Sequence, residues 1–134
     1  MKVLKTETVE VRSTQDVVIV RQRVRSMAIE CGFSLVDQTK IVTAASEIAR
    51  NTVIYGGGGQ AIAEHLENER RQGVRLTFED EGPGIADLSM ALKEGYTTGG
   101  GLGLGLSGAK RLSNEFEITS APGKGTRVVL ARWK

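Results

Sequence analysis

The sequence has few of the residues that build disulfide frameworks or metal centres. It contains 1 cysteine, Cys31, and 1 histidine, His65. A single cysteine cannot form an internal disulfide, and neither residue has a Cys or His partner at the spacing of a metal site. We therefore expect Cys31 to be a buried thiol near the end of a helix, and His65 to be a structural or surface residue.

Long apolar runs and a surplus of charge of one sign are also missing. No segment approaches ~18 consecutive apolar residues, and residues 1–7 lack the apolar core of a signal peptide. The 18 basic residues nearly balance the 16 acidic ones, and the basic residues form no continuous block. We expect a cytoplasmic protein with no membrane or nucleic-acid partner, built as one domain over residues 1–134.

Glycine, by contrast, is abundant and unevenly placed. The 17 glycines include clusters at 56–59, at 82 and 84, within 99–108, and at 123 and 125. A disordered linker would mix glycine with serine and proline and would lack apolar periodicity. Here the clusters alternate with well-patterned segments, which indicates functional loops.

Hydrophobic periodicity predicts the element order β-α-α-β-β-α-loop-α-β-β. The predicted elements are a strand at Thr6–Arg12, a helix from Ser13 or Thr14 to Gly32, a helix from Ser34 to the Gly56–Gly59 run, a strand at 60–67, a strand around Val74–Glu79, a short helix from Asp87 to about Gly95, a helix from about Leu104 to Leu112, and strands at Glu115–Thr119 and Thr126–Trp133. Helices and hairpin-connected strands segregate along the chain. This predicts an α+β fold, a two-layer sandwich in which helices cover one face of a mixed β-sheet.

A carboxylate and a carboxamide lie four residues apart in the second helix, at Glu47 and Asn51. This spacing places both side chains on one helix face, beside the apolar stripe. An amide oxygen can join a Mg²⁺ shell, and a carboxylate can accept a proton from an attacking hydroxyl. Taken alone, the pair would mostly indicate an ordinary polar helix face.

A second motif, Asp80-Glu81-Gly82-Pro83-Gly84-Ile85, follows the clearest strand. Pro83 and Gly84 suit the two central positions of a type II turn. A carboxylate is a pure acceptor, so Asp80 beside a glycine turn can bind the exocyclic amino group of adenine. The alternative is a plain acidic turn.

The glycine-rich stretch at 99–108 suits a lid over phosphates, because glycine lets backbone N–H groups converge on an anion. Its formal G-x-G-x-x-G is not a dinucleotide-binding motif, since no strand precedes it and only 26 residues follow it. No G-K-[ST] motif of a P-loop is present. A flexible surface loop is the alternative. The final motif, Gly123-Lys124-Gly125-Thr126, is by itself only a hairpin turn.

The order and spacing of these motifs resemble the N, G1, G2 and G3 boxes of the GHKL (Bergerat-fold) ATPases over residues 46–126. Within that superfamily the chain looks most like the anti-sigma-factor-type serine kinases, and among those like the switch kinases of the stressosome. Residues 46–51, 79–85, 99–108 and 110–112 carry this similarity. The resemblance implies ATP and Mg²⁺ as cofactors.

The resemblance also implies a role for each matched residue. Glu47 would be the catalytic residue that orients or deprotonates the acceptor hydroxyl, and Asn51 would hold Mg²⁺. Asp80 would bind the adenine amino group. The further nucleotide-binding residues would be Gly82, Gly84, Ile85, Thr98, Gly99, Gly100, Gly101, Leu102, Gly103, Leu104, Gly105 and Thr126. Catalysis would consist mainly of positioning and charge stabilisation.

For partners, the resemblance implies a STAS-domain protein phosphorylated on Ser or Thr, a stressosome scaffold, and a downstream phosphatase or cyclase. Four alternatives remain. A histidine-kinase catalytic domain needs a phosphoacceptor helical hairpin, and none is predicted before residue 13. A topoisomerase-type ATP hydrolase needs further domains. A non-catalytic ATP-binding interaction module would not need Glu47, and an anti-sigma factor would use the same fold.

Overall fold

The computed structural model describes residues 1–85 and 106–134. Within them the chain forms β1 (Lys2–Val11), α1 (Thr14–Glu30), α2 (Leu35–Ile54), β2 (Gly59–Asn68), β3 (Arg71–Asp80), α3 (Leu106–Arg111), β4 (Glu115–Ser120) and β5 (Thr126–Trp133). The predicted order of these elements is confirmed. The predicted helix at 87–95 and the glycine-rich residues 99–105 lie outside the described residues, as does the predicted start of the later helix at Leu104.

The five strands form one sheet in the order β1-β2-β3-β5-β4. The α+β class is confirmed, but the prediction of a mixed sheet is wrong, because all four pairings are antiparallel. The connection from β3 to β4 gives these two strands the same direction. The hairpin then brings β5 back between them, so no parallel neighbours result.

Both long helices begin at a serine cap. The hydroxyl of Ser13 accepts from the backbone N–H of Asp16 at 3.4 Å, and that of Ser34 accepts from Asp37 at 3.1 Å. Each cap satisfies one of the N–H groups that a helix start leaves free. The predicted helix starts are therefore confirmed.

The core lies between α1, α2 and one face of the sheet. Apolar side chains at helical spacing meet the alternating side chains of the central strands. The fully buried members of this core include Val20, Val24, Met27, Ile41, Ala45, Ile48, Val74, Leu76, Phe78 and Leu130. None of the helices in the described ranges is long and apolar enough to cross a membrane.

Cys31 and His65 both serve the packing. The Cys31 thiol is buried and lies 3.5 Å from the carbonyl oxygen of Gly73. Burial, with a smaller contribution from the charge of Glu30, raises the pKa of Cys31 to about 11. His65 is buried, and its Nε2 hydrogen-bonds the side-chain oxygen of Gln72 on β3. The expectations of a buried thiol and a structural histidine are confirmed.

Arg132 joins three elements near the end of β5. Its Nη2 donates to Asp37 Oδ1 at 2.8 Å, and its Nη1 donates to the carbonyl oxygen of Leu112 at 2.8 Å. The guanidinium therefore connects the first turn of α2 with the residue that follows α3. The hydrogen bond from Arg132 is the largest of the causes that lower the pKa of the Asp37 carboxyl.

Candidate functional site

A pocket opens between the C-terminal half of α2 and the adjoining ends of β3 and β5. The empty space inside it, including the part that is open to solvent, is about 600 Å³. The lining is mostly apolar with a few polar groups, which is the usual composition of a small-molecule site. The lining residues are Ile48, Asn51, Thr52, Tyr55, Gly56, Phe78, Asp80, Pro83, Gly84, Ile85, Leu106, Thr126 and Val128.

Asp80 supplies the carboxylate of this pocket. It is the last residue of β3 and pairs in register with Thr126, the first residue of β5. Asp80 Oδ1 accepts from the backbone N–H of Gly82 at 2.9 Å. Burial raises the pKa of the Asp80 carboxyl, and backbone hydrogen bonds from Gly82 and Thr126 oppose that rise. When ionised, the carboxylate offers acceptors only.

Two glycines of the run after α2, Gly56 and Gly59, are required by steric contacts. A Cβ at Gly56 would lie 2.4 Å from Asp80 Cγ, and one at Gly59 would lie 1.9 Å from the Glu79 carbonyl oxygen. A Cβ at Gly82 would lie 2.7 Å from Gly56 Cα. The connection from α2 to β2 thus packs directly on the segment that carries Asp80. Gly56, the first residue of the run, lines the pocket.

The turn after Asp80 fits tightly against the β4–β5 hairpin. Gly84 has φ +76°, as expected for the third residue of the predicted type II turn. A Cβ there would meet the carbonyl oxygen of Ala121 at 2.0 Å, so only glycine fits. The backbone N–H of Gly123 donates to the Pro83 carbonyl at 2.7 Å. The second and fourth sequence motifs therefore form one side of the site together.

Asn51 faces the same pocket from α2. Its Nδ2 is buried and has no hydrogen-bond partner within residues 1–85 and 106–134. A buried amide group without a partner is costly in a folded protein, and such exceptions often mark a binding site. This orphaned amide indicates that Asn51 is arranged for a ligand.

Glu47 occupies the preceding turn of α2 and is outside the pocket lining. Its side chain is 36% exposed, and Oε1 lies 3.3 Å from Nη1 of Arg50. The carboxylate lies one helical turn before Asn51 and is paired with a neighbouring cation.

The pocket brings together five of the residues that the sequence indicated: Asn51, Asp80, Gly84, Ile85 and Thr126. Gly82 packs behind Asp80 and does not line the pocket. The predicted nucleotide-binding residues from Thr98 to Gly105 lie outside the described part of the chain.

Sequence reasoning missed several residues of the site. Phe78 and Val128 line the pocket two residues from Asp80 and Thr126, so strand alternation could have found them. Ser120 had no such signal. Its Oγ lies 2.8 Å from Thr126 Oγ1 only because β4 and β5 pair in a register that places these two residues opposite each other.

Comparison with known proteins agrees with a nucleotide-binding pocket of this kind. Residues 36–134 match the family model described as histidine kinase-, DNA gyrase B- and HSP90-like ATPase. The chain is 42% identical to the serine/threonine-protein kinase RsbT of Bacillus subtilis over 93% of this chain and 94% of that protein. It is 35% identical to an anti-sigma F factor of Halalkalibacterium halodurans over 72% and 69% of the two chains.

Two solved structures share the fold at low sequence identity. The RsbU and RsbW domains of a Mycobacterium tuberculosis protein match with a TM-score of 0.64 at 20% identity, covering 96% of this chain and 32% of that one. The mycobacterial sensor histidine kinase MprB matches with a TM-score of 0.55 at 15% identity, covering 96% and 97%. The pocket geometry, the family match and the RsbT similarity together show that the chain belongs to the histidine kinase-, DNA gyrase B- and HSP90-like (GHKL) ATPases.

Proposed function

We propose that this chain is an ATP- and Mg²⁺-dependent protein serine/threonine kinase acting as a single domain over residues 1–134. The observation that carries the proposal is that one apolar pocket is lined both by a carboxylate, Asp80, and by Asn51, whose buried Nδ2 has no hydrogen-bond partner among the described residues. The strong similarity to the kinase RsbT over nearly the whole chain supports transfer chemistry over binding alone.

The pocket suits an adenine base. Ile48, Ile85 and Val128 supply an apolar lining for the faces of a purine ring. Asp80 lines the same pocket and would accept from the exocyclic amine. Thr126 stands beside Asp80 and contributes its hydroxyl at the same end of the base.

The residues present also fit a magnesium ion bound with the phosphates. Mg²⁺ retains several waters and takes only one or two protein oxygens alongside substrate phosphates. The Asn51 carboxamide, whose Nδ2 has no partner among the described residues, is free to turn its oxygen outward as that ligand. The ion would neutralise charge that develops on the phosphates during transfer.

Glu47 is the residue proposed to act on the acceptor hydroxyl. In the transfer, the acceptor oxygen forms a bond to the γ-phosphorus while the bond from that phosphorus to the ADP oxygen breaks. The hydroxyl proton passes to the Glu47 carboxylate, one helical turn from Asn51. Before an acceptor binds, the ion pair with Arg50 holds this carboxylate.

The proposed acceptor is a Ser or Thr on a STAS-domain protein of a bacterial stress-signalling, partner-switching pathway. Release from that partner, within a stressosome scaffold, would free the kinase to activate a downstream phosphatase or cyclase. The similarity to RsbT and to anti-sigma F factors supports this assignment.

The test is transfer of labelled γ-phosphate from ATP-Mg²⁺ to a purified STAS-domain protein of a bacterial partner-switching pathway. Label should appear on Ser or Thr, and Glu47→Ala should remove it. Glu117→Ala is the matched control, since Glu117 is exposed on β4 away from the pocket and should leave transfer unchanged. ATP binding without any transfer by the wild-type chain would contradict the kinase assignment and favour a binding module.

A further inference from the structure

Ser120 holds three groups of the pocket wall together from outside the pocket. It is the last residue of β4 and lies opposite Thr126 in the β4–β5 register. Its Oγ is 2.8 Å from the backbone nitrogen of Ile85, 2.9 Å from the carbonyl oxygen of Gly125, and 2.8 Å from Thr126 Oγ1. One hydroxyl thus meets the turn after Asp80, the hairpin turn, and a pocket side chain.

The chemistry of these groups determines where each proton lies. A serine hydroxyl has one proton and two acceptor lone pairs. The Ile85 N–H can only donate to it, and the Gly125 carbonyl can only accept from it. The Ser120 proton therefore goes to Gly125, and the remaining lone pair takes the proton of Thr126. This is the arrangement in which all three contacts of Ser120 are hydrogen bonds.

The consequence for the pocket concerns Thr126. Because its proton is directed to Ser120, Thr126 Oγ1 offers a ligand an acceptor and no donor. Its neighbour in register, Asp80, also offers acceptors, and the Thr126 backbone N–H is already bonded to the Asp80 carboxylate. These two side chains thus give this end of the pocket two acceptors.

We propose that Ser120 is a positioning residue that fixes the direction of the Thr126 hydroxyl and thereby makes the pocket select a 6-amino purine over a 6-oxo purine. The inference rests on the proposed function, since it names the base preference of the same site. An adenine amino group brings two N–H donors to two acceptors. The carbonyl of hypoxanthine or guanine would bring a third acceptor to the same place.

The test compares the affinities of ATP and ITP, whose bases differ at position 6, amino against oxo, and at N1, which is an acceptor in adenine and an N–H donor in hypoxanthine. The wild-type chain should prefer ATP by about 100-fold or more, because unpaired polar groups in a built site reject an analogue strongly. Ser120→Ala removes the acceptor of the Thr126 proton. The Thr126 hydroxyl can then turn that proton into the pocket and act as a donor. The ATP-to-ITP preference should then fall about tenfold, the usual scale of one hydrogen bond.

Matched variants separate positioning from a loss of fold. Ser120→Thr keeps the hydroxyl and should restore the preference. Ser113→Ala removes a hydroxyl that donates to the Ala109 carbonyl at 2.7 Å at the end of α3, and should leave the preference unchanged. In the double variant with Thr126→Val, Ser120→Ala should cause no further loss of preference, since the two residues act as a unit.

Four outcomes decide between these possibilities. A preference that falls with Ser120→Ala and returns with Ser120→Thr supports the inference. A purely structural role for Ser120 would weaken ATP and ITP equally, and that unchanged ratio would overturn it. If Ser120→Ala does not fold, Thr126→Val is measured instead, and an unchanged ATP-to-ITP affinity ratio in that variant would overturn the inference. A wild-type chain that binds neither nucleotide would defeat the proposed function itself.

Discussion

Gly56 and Asp80 lie so close together that a Cβ at Gly56 would be 2.4 Å from Asp80 Cγ. The carboxylate is therefore positioned by direct contact with the backbone that follows α2. The contact requires a residue without a side chain, and it connects the helix that carries Asn51 to the strand that carries Asp80. The pocket depends on this approach.

Gly56→Ala should displace Asp80 and weaken ATP binding at least tenfold. Overpacking of this kind also costs about 1–3 kcal/mol of unfolding free energy. Gly57→Ala is the control, because Gly57 has φ +72° and no atom within 4 Å of an added Cβ. It should lose about 1–2 kcal/mol from its left-handed backbone yet keep its affinity. Equal losses of affinity in both variants would refute the contact argument, as measured by calorimetry and denaturant unfolding.

Asp80→Asn should abolish ATP binding without destabilising the empty protein. The variant turns a donor toward the two N–H groups of adenine, which should lower affinity by about 100-fold or more. Burial raises the pKa of Asp80, so the ionised carboxylate costs folding free energy at neutral pH.

The pH dependence of that stability difference follows from the same shift. Below the ordinary Asp value of 3.8 the carboxyl is neutral in both states, and wild type and Asp80→Asn should differ little. As pH rises through the raised pKa, the wild-type chain loses the stability that its neutral carboxyl gave, whereas the variant does not. A variant that is less stable than wild type at pH 7 in urea titrations would show that the carboxylate supports the fold.

Glu47→Ala should retain ATP binding but lower phosphate transfer by about 10²–10⁴-fold, the usual effect of losing a general base. Arg50→Ala is the informative partner variant, since it removes the ion pair at 3.3 Å and leaves the carboxylate in place. It should keep transfer within a few-fold of wild type. Single-turnover transfer rates measure both effects, and an unimpaired Glu47→Ala rate would remove Glu47 from the chemistry.

Asp37→Asn should destabilise the protein by about 1–2 kcal/mol, because it removes the negative charge that faces the largely buried Arg132 guanidinium and leaves only a neutral acceptor there. The pKa of Asp37 is lowered in the folded protein, so its contribution is present above the ordinary Asp value and disappears as pH falls through the lowered pKa. Wild type and variant should therefore converge in acid.

The exposed pair of Lys5 and Glu30, at 3.2 Å, provides the comparison for this prediction. Glu30→Gln should change the unfolding free energy by less than about 1 kcal/mol, as surface ion pairs usually do. Thermal unfolding at several pH values would distinguish the two variants. Equal effects would mean that the Arg132 contact contributes no more than a surface pair.

Local patterns made much of this molecule predictable from its sequence. Ser13 and Ser34 marked the helix starts, and strand alternation located Val74, Leu76 and Phe78 in the core. These features depend on residues within a few positions of each other. Motif order predicted the family because Asn51, Asp80 and Thr126 keep a characteristic spacing.

Features that depend on how distant segments meet were not predictable in this way. The antiparallel pairing of β3 with β5 follows from where a crossover ends, which no local pattern records. The need for glycine at position 56 arises from Asp80, twenty-four residues further along the chain. Ser120 contacts the pocket wall only through the register of β4 and β5. In each case the cause is a tertiary contact.

The buried Cys31 has a practical consequence for experiments on this protein. With its pKa raised to about 11, the thiol is almost entirely protonated at pH 7, and the thiolate is the reactive form. Since Cys31 is the chain's single cysteine, its rate of modification by a thiol reagent reports how often the core around it opens. The native thiol can therefore be used to measure the stability of the core. A cysteine engineered at the surface would react with a fluorescent label much faster than Cys31.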